Sequence, residues 1–220
     1  DATTAVFELN NALQVSKVVD ASGQTLNTQR NQKDSTIEVS FATALPKDKP
    51  AQLSFTYQGQ LAGNQDSPVY GITFADLKPD FGFLLYPSRW FPVSGYTTDR
   101  YTADLRITAP SEFKVLASGD EKVEKLADNK NAFTFQYTKN ASFPGSIALV
   151  KGQGQRVSSE GITTSIFFRN HANVAQNYGE ETGKIVDFFT SDFGLAPQAN
   201  VTLVETVDGA PNGYAAPGII

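Results

Sequence analysis

The chain has 220 residues, 40% of them hydrophobic and 19% charged, a balance that suits a folded protein and excludes wholesale disorder. Its formal net charge is -5 and its 18 Lys and Arg are scattered singly, so no basic stripe is offered to nucleic acid or to an anionic membrane. The Cys count is 0, which removes disulfides, thiolate zinc sites and cysteine nucleophiles together, and no run of about 18 apolar residues is present to span a bilayer.

Period-two alternation dominates the first two thirds of the chain. Thr36-Ile37-Glu38-Val39-Ser40-Phe41 and Gln52-Leu53-Ser54-Phe55-Thr56-Tyr57 each put apolar side chains on one face and polar ones on the other, the pattern of half-buried strands. Ala103 to Thr108, ended by Pro110, and Ala132 to Tyr137 repeat it. Turn residues such as Ser22-Gly23, Pro46-Lys47-Asp48 and Asp128-Asn129 separate these runs at hairpin spacing. Residues 1–157 are therefore expected to form a mostly β domain, a large antiparallel sheet or sandwich of saddle-like form.

The pattern changes after the polar stretch Lys151-Gly152-Gln153-Gly154-Gln155. One more strand, Thr163 to Phe168, precedes a helix expected from about Ala172 to Phe189. There Val174, Tyr178, Thr182, Ile185, Phe188 and Phe189 recur at helical spacing, and Gly194 stops the chain just beyond. Val201 to Glu205 returns to strand, and a Gly/Pro turn leads to Ile219-Ile220. Residues 158–220 thus read as strand, helix, strand, turn, strand, the incomplete start of an α/β domain. Two β-branched residues just past a turn call for a ladder partner. The expectation is accordingly a piece of a longer polypeptide, with Val201 to Glu205 and Ile219-Ile220 on an unfinished sheet edge that another molecule covers.

Two segments resemble the aminopeptidase N-like family of zinc metallopeptidases, the membrane alanyl aminopeptidase type. Tyr86-Pro87-Ser88-Arg89-Trp90-Phe91-Pro92 is similar to the family's Arg-x-Phe-Pro stretch. Ile162 to Ile220 is similar to the opening of its thermolysin-like catalytic domain, with Asp187 to Gly194 matching an Asp-Phe-Phe-x-x-x-Phe-Gly pattern and Asn212 to Ile220 in register with the substrate loop G-A-M-E-N and its trailing W-G-L-I. The resemblance implies that this chain is the amino-terminal part of such a protein. It also implies that Asn212, Gly213, Tyr214, Ala215 and Ala216 line a peptide-binding cleft, and that zinc is held by an H-E-x-x-H helix encoded beyond Ile220.

The loop departs from the family where specificity is set. Its Glu, which in the family binds the α-amine of a peptide, is Ala215 here, and shifting the register by one residue puts Ala216 in that place. No carboxylate lies between Gly209 and Ile220, Phe83-Leu84-Leu85 offers only apolar groups ahead of Arg89, and Ser94-Gly95-Tyr96 replaces the usual Asp-Glu-Pro. Peptide contact is then expected through the loop backbone.

Three smaller expectations follow from single residues. Arg89 pairs with Asp99 or Asp104; Trp90 and Phe91 are buried core anchors; His171 is an exposed residue near the helix start, with no ligand at i+3 or i+4. A non-catalytic member of the family and a stand-alone β-rich binding or adhesion module are the alternative readings. A Cys-free chain starting at Asp1 fits an exported, periplasmic or extracellular protein. With one His and no Cys, the chain cannot supply the two His and a carboxylate that a catalytic zinc typically takes. Zinc titration by calorimetry should therefore show no site of micromolar affinity, and a tight one-to-one isotherm would refute the ligand count.

Overall fold

The computed structural model describes residues 2–63, 67–95, 101–142, 146–194 and 200–220, without the side chains of 101 and 138–142. In chain order the strands are β1 (Ala2–Glu8), β2 (Leu13–Asp20), β3 (Asn27–Asn31), β4 (Thr36–Leu45), β5 (Leu53–Gly59), β6 (Ala75–Leu77), β7 (Phe81–Leu84), β8 (Tyr101–Pro110), β9 (Phe113–Leu116), β10 (Asp120–Leu126), β11 (Lys130–Ser142), β12 (Ile147–Lys151), β13 (Gln155–Ser159) and β14 (Ile162–Phe167). A 3-10 turn at Ala172–Val174 opens the helix α1 (Ala175–Phe193), and β15 (Asn200–Val204) follows. The chain divides into two compact units, Asp1–Leu77 with Leu84–Asp99, and Lys78–Phe83 with Arg100–Ile220. The fold is mostly β, with its strands shared among several small sheets rather than gathered in one large one.

In the first unit, β4 pairs antiparallel with β1 on one side and β3 on the other, and β2 pairs antiparallel with β5. The alternation read in Thr36 to Phe41 does what the period requires: Ile37 and Val39 are buried beside Leu9, Leu13 and Val18, while Phe7, Phe55 and Trp90 pack onto them. Arg89 forms an ion pair with Glu8 at the end of β1; of the acids expected to pair with it, Asp99 lies outside the described residues. Ser88 links the two, its hydroxyl donating to the Glu8 carboxylate at 2.9 Å and accepting from Arg89 Nε at 3.2 Å. Glu8 also exchanges two backbone bonds with Val93, at 2.7 and 3.0 Å. Pro87 at the first position of the 3-10 turn Pro87–Arg89 fixes the φ that turns Arg89 inward. Trp90 is partly buried, whereas Phe91 is 46% exposed and anchors no core.

In the second unit, β11 pairs antiparallel with β10 and β8, and Phe133, Phe135 and Tyr137 alternate into the interior. β12 pairs antiparallel with β9, burying Val115 and Ile147. β13 and β14 form a hairpin across Glu160-Gly161, both with positive φ (+50° and +74°), the combination that lets a two-residue turn follow the strand twist. Val157, where the sequence pattern changes, is the buried centre of β13.

β15 then pairs parallel with β14, Thr163 facing Asn200 and Phe167 facing Val204, with α1 as the crossover. The edge of β15 expected to await another molecule is covered by the chain itself. Thr202 N–H donates to Gly218 O, Ile220 N–H to Thr202 O and Val204 N–H to Ile220 O, each at 2.8 Å, and Ile219 is buried.

The helix sits where the sequence places it, but with a different face inward. Its buried residues are Ala175, Gly179 and Gly183, one position every four residues. A Cβ on Gly179 would stand 2.3 Å from Val157 Cβ, and one on Gly183 would stand 2.5 Å from the Ser159 carbonyl oxygen. The missing side chains let the helix backbone lie against the sheet, and the large apolar residues are displaced to its flank. Gly179→Ala should lower unfolding stability by roughly 1–3 kcal/mol through overpacking, the opposite sign from the ~1 kcal/mol gain of the same change in an exposed helix. Urea denaturation checks this, and an unchanged or raised midpoint would show that the sheet yields to the methyl group.

Candidate functional site

Parallel strands joined by a helix leave a crevice at their carboxyl ends, where loops leave the sheet and backbone groups become free. Here a groove of about 520 Å³ opens at that end of β14 and β15. Phe168, Val174 and Tyr178 line its helix side and Val204 to Asn212 its loop side, and the Phe168 and Tyr178 rings meet edge to face at 5.2 Å.

Glu205, the residue after β15, ties the two sides together. Its carboxylate accepts the backbone N–H groups of Arg169 at 2.5 Å, Asn170 at 2.8 Å and His171 at 3.4 Å, and shares a hydrogen bond with His171 Nδ1. Burial pushes the Glu205 carboxyl up, but the donors from Asn170, the His171 ring, Arg169 and the His171 backbone outweigh it and leave it below the usual carboxylate range. Glu205 is therefore an anion at neutral pH whose lone pairs are taken by the turn that starts the helix, an acceptor rather than a proton donor. Arg169, within that turn, reaches the other way, with its guanidinium 2.7 Å from Asp80 and stacked over Phe81 at 4.5 Å.

The loop leaves Glu205 through a turn in which Ala210 N–H donates to Val207 O at 3.1 Å, beside Gly209 at φ +87°. Asn212 lines the groove, Gly213 and Ala215 are exposed, and Tyr214 and Ala216 are half-buried. The loop closes on a tight turn: Ala216 and Ile219 exchange backbone bonds at 2.9 and 3.0 Å around Pro217 and Gly218, the latter at φ +79°. Pro at the second position and a positive-φ Gly at the third are the requirements of a type II turn. The buried Ser118 hydroxyl donates to Pro217 O at 2.7 Å and pins that end.

Of the five residues named from sequence, Asn212 is in the groove and the other four continue along the loop beside it. Sequence reasoning missed Glu205, Ser118 and the role of His171. His171 is exposed, as expected, but its partner stands 34 residues away at the end of the neighbouring parallel strand. The clue was available, since an acid at the carboxyl end of a strand in a strand-helix-strand unit lies beside the start of the crossover helix. Among the described residues no three His, Asp or Glu side chains cluster in a way that could hold a metal ion.

The comparisons bear on this geometry. An M1 zinc metallopeptidase from Deinococcus radiodurans superposes with a TM-score of 0.68 at 17% identity, over 92% of this chain and 48% of that one. A mutant two-domain M1 zinc metallopeptidase bound to L-tryptophan gives 0.65 at 16%, over 92% and 49%. A Deinococcus radiodurans M1 zinc metallopeptidase mutant bound to a Tyr-Ser-Ala substrate gives 0.65 at 16%, over 92% and 48%. The fold is one shared with M1 zinc metallopeptidases. This chain spans about half the length of those solved structures. No protein-family model and no curated protein sequence matches it.

The Glu205 cluster has a pH signature. A carboxyl with a lowered folded-state pKa contributes stability that is complete above its ordinary value of about 4.3 and is lost as the pH falls through the folded value. Glu205→Gln should melt at lower temperature than the native protein at neutral pH, and the gap should narrow from about pH 5 downward as the native carboxylate protonates. Thermal melts from pH 7 to pH 3 check this, and a gap independent of pH would mean the charge of Glu205 does not matter to the turn.

Proposed function

We propose that this chain is the amino-terminal, β-rich half of a metallopeptidase-like protein and that its loop from Gly209 to Ala216 forms a strip of the peptide-binding cleft. The observation that carries the reading is the loop itself: pinned at both ends, glycine-rich, and set at the carboxyl ends of parallel strands in a fold shared with M1 zinc metallopeptidases. Nothing stands within 4 Å of where a Gly213 Cβ would be, so an extended peptide can approach the main chain closely there and bond to it as it would to a strand.

The same loop has no carboxylate for a peptide's ammonium, and the nearby Glu205 is already engaged by Arg169, Asn170 and His171. Recognition of a free amino terminus is thus not built into this half. The described residues do not fit zinc: the one His is committed to Glu205, and among the described residues no cluster of ligands surrounds it. In this reading metal and chemistry belong to the other half of the protein, and the 220 residues alone are inactive. A non-catalytic protein of the same architecture is the second reading, favoured by Ala215. A stand-alone binding module accounts less well for the parallel strand-helix-strand unit, which such a module does not require.

Reading the coding sequence beyond Ile220 tests the proposal. An H-E-x-x-H segment followed by a further Glu is the expected result; the same fold without it selects the non-catalytic reading, and an immediate stop codon overturns both. Hydrolysis of aminoacyl reporters by the 220-residue chain should equal the buffer blank.

A further inference from the structure

The side of α1 that does not touch the sheet is apolar. Ile185, Phe188, Phe189 and Phe193 are 54%, 60%, 53% and 80% exposed. Phe189 meets Phe188 edge to face at 5.6 Å and stacks on Phe193 at 5.9 Å. At 100° per residue, Ile185, Phe189 and Phe193 form one stripe about a quarter turn from the glycines that face β13. Adjacent large side chains in such number mark a covered surface rather than a solvated one.

The charges beside the stripe say what covers it. Glu181 and Asp192 flank it on its outer side, and the one Lys of α1, Lys184, already bonds Glu181 at 2.8 Å. A second copy of this helix is the wrong partner. Parallel pairing sets Glu181 on Glu181 and Asp192 on Asp192. Antiparallel pairing about Phe189, the stripe's middle, sets Asp192 on Val186, so neither arrangement gives these acids a counter-charge.

We propose that the stripe is the docking face for an amphipathic helix whose apolar seam is flanked by Lys or Arg, supplied by the half of the polypeptide that lies beyond these 220 residues. This rests on the reading above that such a half exists, and on the chain's spanning only 48% of a fold-related metallopeptidase. The incoming helix packs its apolar seam on Ile185, Phe189 and Phe193, with its cations opposite Glu181 and Asp192, and α1 becomes the middle layer between sheet and helix.

The test uses the absence of Cys in this chain. Phe189→Cys places one thiol at the exposed centre of the stripe, where it leaves the sheet contact untouched. Its reaction rate with a small aromatic disulfide is followed in the 220-residue chain and in the protein extended through its downstream coding sequence, any downstream Cys being distinguished by peptide mass. The rate is expected to fall at least tenfold in the extended protein, and Glu181→Lys with Asp192→Lys is expected to restore most of it. Equal rates in the two proteins overturn the docking face while leaving the metallopeptidase-like reading intact. Protection in the 220-residue chain that grows with its concentration overturns it in favour of self-association. A stop codon after Ile220 overturns it together with the parent reading, and is seen in the gene before any labelling is done.

Discussion

The contact on which the second unit depends is the one with the fewest atoms in it. Gly179 and Gly183 bring the backbone of α1 against Val157 and Ser159, and that closeness sets everything around it. Val157 and Ile166 are sealed beneath Ala175, the crossover is drawn tight over β14 and β15, and the turn that starts the helix arrives beside the end of β15. A bulkier helix would stand further off, and Glu205 would no longer reach the N–H groups of Arg169, Asn170 and His171. The same economy of side chains leaves Phe188, Phe189 and Phe193 of α1 exposed.

Glu205 and Glu8 show two uses of a carboxylate in one chain. Glu8 meets the buried Arg89, with Ser88 between them; a charge taken out of water there is tolerable only because its partner and a hydroxyl come with it. Glu205 meets mainly backbone donors at a helix start, where the dipole and the open N–H groups favour an anion without any cation. The first fastens the end of a strand to a distant turn, and the second fastens a strand to the helix that precedes it.

Much of the fold was legible because alternation is a strong signal wherever one face of a strand is buried. Ile37, Val39, Phe133 and Phe135 point inward as their spacing requires. The position and end of α1 were equally plain, with Gly194 at φ +92° donating its N–H to Thr190. The inward face of that helix was not, because hydrophobic periodicity locates large side chains while this helix is seated by absent ones. The loop from Asn212 to Ala216 could be named from a family resemblance. Its anchors were missed: Ser118 lies 99 residues from Pro217, a pair no local pattern reports, and Glu205 lies 34 from His171, a pair betrayed only by the acid's place at the end of a strand. Glu8 as a partner of Arg89 was missed for the same reason: acids near in sequence were weighed, and this one came from β1.

The type II turn at Pro217-Gly218 has one more implication. With that turn hung from Ser118 and β15, and Glu205 holding the opposite end, the intervening segment is a short bridge between two fixed piers, not a free strand of chain. A ligand laid along such a bridge has little disorder to freeze, so even a few main-chain bonds of ordinary strength can yield measurable affinity. The same rigidity limits how far the bridge can adapt, which favours ligands recognised by the regular repeat of their own main chain over those recognised by the shape of one side group.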